Sequence, residues 1–203
     1  MRAGQTLSYN GHQVSLFPLA YMNISQGEGG SYSHAGRWAI DFLGWDANGR
    51  VLNCPYYAPF DCHVVYHASY YNVWQSDNEV ITPKGLQYVT FAVIHDDNPP
   101  PLGTYKNQGE VIGHTGTNTS PGGTPVTGDH VHINGANGTY QGWINGGTDL
   151  ANREHLYNLF YINDTVLINP MNYNWVYYDG GMPESKKFKF KWVLYTNKIR
   201  ERR

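Results

Sequence analysis

The sequence predicts a mainly β fold, and three observations carry that expectation. Glycine, tyrosine and proline are abundant, with 23, 17 and 11 copies among 203 residues. Apolar residues come in short alternating or continuous runs separated by turn-forming residues, which is how strands joined by many turns read. Helical periodicity is sparse, and no internal repeat stands out. The length suits one to two domains with a substantial core, and the chain divides into a main unit, residues 1–180, and a basic tail, residues 181–203.

Expected strands follow in chain order. Residues 13–17 alternate polar and apolar side chains, and 38–43 form an apolar run broken by Asp41. Residues 62–67 and 88–95 are rich in valine and aromatic residues, the types that fit a pleated, half-buried surface. Shorter strands are expected at 111–113 and 130–134. The best helical segment is 148–160, where Asp149 would cap and Leu150, Leu156, Leu159 and Phe160 give a partial apolar stripe.

The most informative triplet is His130-Val131-His132. Strand side chains alternate with a period of two, so on an extended segment both imidazoles face the same side. Upstream, Asp41 lies inside Ala39-Ile40-Asp41-Phe42-Leu43. A carboxylate in a strand-like apolar run is unfavourable unless it is paired, hydrogen-bonded or bound to a cation. Zinc favours imidazole nitrogen and carboxylate oxygen, and a catalytic zinc site needs three protein ligands with a fourth position left for water. His34, Asp41 and one ring of the triplet meet that count. By themselves these residues support a zinc hydrolase.

A family resemblance emerges when further segments are read in order. His34 with Asp41, then Tyr57-Ala58-Pro59-Phe60-Asp61, Val89-Thr90-Phe91-Ala92-Val93-Ile94-His95, Gly109-Glu110-Val111-Ile112-Gly113-His114-Thr115-Gly116 and Gly128-Asp129-His130-Val131-His132 resemble the successive motif blocks of the M23 (lysostaphin/LytM-like) zinc peptidases. The segment Tyr21-Met22-Asn23-Ile24-Ser25-Gln26-Gly27 resembles phage members of that family. The commonest first motif in the family is His-x-x-x-Asp, whereas six residues separate His34 from Asp41 here, a longer spacing similar to that of phage-type members.

The resemblance implies antiparallel sheets forming an open groove, with one short helix after the core. It implies one Zn2+ held by His34, Asp41 and His132, with His95 and His130 beside the metal as catalytic residues. Zinc polarises a scissile carbonyl and lowers the pKa of water to about 7. A neutral imidazole can take the water proton and return it to the leaving amine, while a second donates to the oxyanion. Which of His95 and His130 is the base stays open. The implied substrate is bacterial peptidoglycan, and the implied location is the phage virion, as a tail component acting at the host wall beside other tail proteins. The rival reading is a noncatalytic structural or wall-binding tail protein with a zinc-stapled fold.

Two loops are expected to wall the groove. Residues 96–103 begin beside His95 and contain three consecutive prolines, Pro99 to Pro101, which disfavour regular pairing. Residues 115–128 lead into the His-x-His. Ordinary surface connection is the alternative for both. His63 and His67, four apart, share one face if the strand is regular, but a second metal site there is disfavoured. His114 occupies a turn between glycines and is expected to be a loop or groove-wall residue, while His12 and His155 have no companion motif. Cys54 and Cys62 are equally compatible with a disulfide and with two buried thiols.

Charge is uneven. Residues 186–203 hold eight Lys or Arg and one acid, which leaves six bases and fifteen acids in the first 185 of the chain's totals of 14 and 16. In the tail Phe188, Phe190, Trp192 and Leu194 alternate with Lys187, Lys189 and Lys191, a strand-like pattern that would pair with a sheet, another virion protein or an anionic wall polymer. Nothing besides tail charge points to nucleic acid. No run of about 18 apolar residues is present to form a transmembrane helix, and the first residues lack the apolar stretch of a signal peptide.

Overall fold

The computed structural model describes residues 1–123 and 126–183; the expected strand pattern over 187–194 lies outside the described residues. The fold is mainly β. Its centre is an eight-stranded sheet of β1 (Tyr21–Gln26), β2 (Ala39–Phe42), β3 (Cys62–Ala68), β4 (Tyr71–Ser76), β5 (Val89–Ile94), β6 (Tyr105–Lys106), β7 (Val131–Asn137) and β8 (Val166–Asn169). The spatial order is β6-β3-β4-β5-β7-β2-β1-β8. Neighbours are antiparallel except at one edge, where β8 runs parallel to β1. Short two-stranded ladders flank this sheet.

Alternation gives the sheet two unlike faces. One carries Ile40 and Phe42 of β2, Val64 of β3, Trp74 of β4, Phe91 and Val93 of β5, and Val131 and Ile133 of β7, all within the main core cluster. Each such side chain contributes about 1.5–3 kcal/mol on burial. The opposite face carries Asp41 and His132, which are direct partners across β2 and β7, while His132 is also opposite Ile94 of β5. A slip of one residue would put the carboxylate and imidazole into the core and the core residues into the groove. The hydrophobic pattern therefore fixes the register of the polar face.

The one helix, α1 (Leu156–Leu159), packs against β7. Gly135 permits the approach: a Cβ there would lie 2.5 Å from Leu159 Cδ1 and 2.8 Å from Leu156 Cδ2. The helix is much shorter than the expected 148–160. Asp149 and Leu150 instead pair with Trp143–Ile144 as strands, Leu150 is buried in a separate apolar cluster, and Asn152 adopts a left-handed φ of 55°. Asp149 caps no helix because its oxygens accept from other partners, described below.

The expected strands at 38–43, 62–67, 88–95, 111–113 and 130–134 all appear, with ends shifted by one to three residues. The segment 13–17 is only partly a strand: Gln13 closes a hairpin with Ser8, and Val14 and Leu16 make isolated bridges to Ile81 and Tyr161. In β3 a bulge between Val64 and Tyr66 breaks the alternation, so His63 and His67 fall on opposite faces instead of one. His63 pairs with Asp77 at 2.5 Å and His67 with Asn72 at 2.9 Å. Cys54 and Cys62 are both free and buried. No helix among the described residues is long and apolar enough to cross a membrane.

Candidate metal centre and groove

His34 is positioned by the turn between β1 and β2. Its N–H donates to the Gly30 carbonyl at 3.0 Å, and its own carbonyl accepts from the Arg37 N–H at 2.8 Å. The imidazole is fully buried. Its Nδ1 lies 3.0 Å from the Gly27 carbonyl, which can only accept, so the ring proton sits on Nδ1 and Nε2 presents a lone pair.

His132 is oriented the other way round. Its Nε2 lies 3.0 Å from Asn134 Oδ1, and the Asn134 amide nitrogen faces two acceptors, the Thr148 carbonyl at 3.2 Å and Asp149 Oδ1 at 3.5 Å. This places the His132 proton on Nε2 and leaves Nδ1 free. That lone pair is 2.9 Å from Asp41 Oδ1 and 3.0 Å from His34 Nε2, and Asp41 Oδ1 is 3.2 Å from His34 Nε2.

Three acceptors therefore converge on one another with their protons committed elsewhere. Such a cluster is repulsive unless a proton or a metal cation sits among the three atoms. Their separations suit a metal: for bonds of about 2.0–2.1 Å, the edge of a tetrahedral zinc site is about 3.3 Å. Burial pushes the Asp41 carboxyl upward, but its contacts with His132 and His34 outweigh it and hold the group well below the usual carboxylate range. Burial lowers the His132 pKa, with Asp41 opposing. An ionised carboxylate beside neutral imidazoles is the protonation state that binds metal. Among the described residues, His34, Asp41 and His132 form the one His/Cys/Asp/Glu group suited to a metal ion.

His95 and His130 complete the cluster, with ring centroids 4.6 Å apart and His95 6.1 Å from His132. Regular alternation would send His95 away from the face that Ile94 and His132 share. Instead His95 has a φ of 81°, and this break lets Ile94 and His95 line the same groove. Its Nδ1 donates to the Asn118 carbonyl at 2.7 Å, and the His130 Nδ1 donates to the Gly128 carbonyl at 2.7 Å. Both Nε2 atoms are thus left as acceptors. Burial lowers the His95 pKa to about 4, against the opposing Asn118 bond, so this ring is neutral at pH 7. All five side chains singled out in the sequence meet in one place.

The groove encloses about 700 Å³. Thr119, Val126, Thr127 and Gly128 wall one side, as expected for the 115–128 loop. The 96–103 loop does not line it; Asp96 turns inward to accept from the Tyr56 hydroxyl at 2.7 Å and the His114 N–H at 3.0 Å. The other walls are Ser25 and Gln26, from the 21–27 segment of the resemblance, and Tyr32, Ser33, Arg37, Gly147 and Thr148, which no sequence motif marks.

Behind His34, Asp41 and His132 lies Asp149, fully buried. It accepts from the Trp38 N–H at 3.0 Å, Arg153 at 2.7 Å and Asn145 at 3.1 Å. Trp38 closes the His34 loop and Asn134 holds His132, so this carboxylate ties the two histidine-bearing segments together. Asn134 was detectable, being two residues beyond His132 on the same strand face; Asp149 was read as a helix cap.

No family model matches the chain. It is similar to a zinc containing peptidase from Vibrio cholerae and to lysostaphin. The first likeness has 18% identity, a TM-score of 0.42 and coverage of 64% of this chain and 42% of the other. The second has 14% identity, a TM-score of 0.42 and coverage of 67% and 52%. By sequence, the chain is 38% identical over 176 residues to Morphogenesis protein 1 of Bacillus phage B103, covering 81% of this chain and 44% of the relative. The chain spans less than half the length of that relative.

Proposed function

We propose that this chain is an M23-like zinc-dependent endopeptidase that hydrolyses peptide bonds in bacterial peptidoglycan, acting as a phage virion component during wall penetration. The observation that carries the reading is the convergence of His34 Nε2, Asp41 Oδ1 and His132 Nδ1 beside two imidazoles whose Nε2 atoms make no hydrogen bond among the described residues, that of His130 lying 3.8 Å from Asp41 Oδ1. The phage relative supports the virion setting, and the ordered motif blocks support the peptidase.

In this reading His34, Asp41 and His132 hold one zinc ion, which when bound supplies Lewis acidity to a carbonyl and acidifies water. Asp41 brings the single negative charge. His95 and His130, anchored through Nδ1, offer Nε2 to a water proton, and one protonated ring then delivers it to the leaving amine. The other ring, whose Nδ1 proton is already held by a carbonyl, would take a second proton from solvent at Nε2 and donate it in a hydrogen bond to the oxyanion. The carbonyls of Asn118 and Gly128 keep both rings from rotating away.

The test is digestion of purified walls from several bacteria by the zinc-loaded protein, followed by mass spectrometry of the fragments. New free amines with matching carboxyl ends are expected. Released reducing sugars would contradict a peptidase, and intact walls in every case would favour the structural or wall-binding alternative.

A further inference from the structure

We infer that Arg37 is a carboxylate-binding residue of the groove, so that the accepted peptide carries a free carboxylate close to the cleaved bond. This deepens the peptidase reading and rests on it.

Arg37 is the one Lys or Arg among the residues lining the groove. It is half-buried, and among the described residues no hydrogen bond or ion pair engages its guanidinium. The other arginine near the site is occupied: Arg153 holds Asp149 at 2.7 Å and the Gly36 carbonyl at 3.3 Å, and it covers the Trp38 ring at 4.6 Å. Arg50, farther off, donates to the Asp129 carbonyl.

The backbone of Arg37 is fixed relative to the metal ligands. Its N–H is bonded to the His34 carbonyl at 2.8 Å, and its carbonyl accepts from Gly29 at 3.1 Å. The only acid lining the groove is Asp41, already engaged by His34 and His132. With a divalent cation in place, the groove is net positive within a body that holds fifteen acids and six bases in its first 185 residues. A positive groove in an acidic body attracts an anion that the surrounding surface repels. The planar fork of a guanidinium matches a carboxylate with two parallel hydrogen bonds, and partial burial makes that contact stronger than an exposed pair. The neighbouring groove lining, Ser33, Gln26 and Tyr32, is neutral.

The test compares two preparations of the same soluble peptidoglycan stem fragments, one with free carboxylates and one with those groups converted to carboxamides. The zinc-loaded wild type is expected to cleave the carboxylate form at least tenfold better in kcat/KM, chiefly through KM. Arg37→Gln loses that preference while retaining one equivalent of zinc, and Arg37→Lys keeps part of it, since the charge remains and the fork does not. Equal discrimination by wild type and Arg37→Gln overturns the proposal. Cleavage of neither preparation by the wild type would remove the peptidase reading, and titration calorimetry with the same fragments then decides the role of Arg37. Tighter binding of the carboxylate form that Arg37→Gln abolishes supports it; equal binding of both forms overturns it.

Discussion

His132 Nδ1 lies 3.0 Å from His34 Nε2, with one ring proton committed to Asn134 and the other to the Gly27 carbonyl. Neither nitrogen has a proton to offer the other, and Asp41 Oδ1 adds a third acceptor at 2.9 and 3.2 Å. The relief of this repulsion is what a bound cation provides.

Zinc is therefore expected to raise the thermal midpoint of the wild type, and removal by chelation to lower it. At free zinc a thousandfold above Kd the stabilisation is about 4 kcal/mol. His34→Ala and His132→Ala should abolish both the calorimetric shift and the equivalent of zinc measured after dialysis.

His95→Ala and His130→Ala should behave differently. Both should keep their zinc and lose cleavage by roughly 100- to 10,000-fold, the usual scale of acid–base participation. Cleavage at the parental rate in either variant would remove that histidine from the mechanism.

The left-handed backbone at His95 makes a separate expectation about stability. A residue with a Cβ costs about 1–2 kcal/mol in this region, whereas glycine loses about 0.5–1 kcal/mol through unfolded-state entropy. The strain is the larger quantity, so His95→Gly should melt no lower than His95→Ala, although both are inactive. A lower midpoint for the glycine variant in chemical denaturation would contradict this.

Asn134→Ala should weaken zinc binding roughly 10- to 100-fold, because it frees the His132 ring to rotate and to change tautomer. Asn145→Ala also removes a bond to Asp149 but leaves Asn134 in place, so its zinc affinity should stay near that of the wild type. Competition with a chromogenic chelator measures both.

Acid should destabilise the protein through His95. Burial depresses its pKa from an ordinary value of 6.5 to about 4, so between those values the unfolded chain binds a proton that the folded protein does not. Stability then falls as pH drops from 6.5 toward 4, and a nearby metal cation deepens the effect. His95→Asn should flatten the pH dependence of unfolding free energy across this window by up to one proton, as measured by urea titration at several pH values.

Much of this site was legible in the sequence because its physics is local. The period of two in His130-Val131-His132 fixes which rings share a face, and the buried acid in Ala39-Ile40-Asp41-Phe42 demands a partner. What was illegible depends on tertiary partners or on broken periodicity. Asp149 resembles a helix cap until Trp38, Asn145 and Arg153 surround it. His63 and His67 share a face until the bulge in β3 separates them. The role of Arg37 in the groove wall carries no motif, because a lone arginine in a turn reads as surface.

His34 and His132, which would close the proposed metal site, stand 98 positions apart. A ribosome that has not yet reached His132 carries a chain with no complete pocket for the ion, and even then the pocket waits for β7 to slot between β2 and β5. Metal uptake would thus follow the synthesis and docking of β7, and a zinc-sensitive optical signal would report the docking of that single central strand.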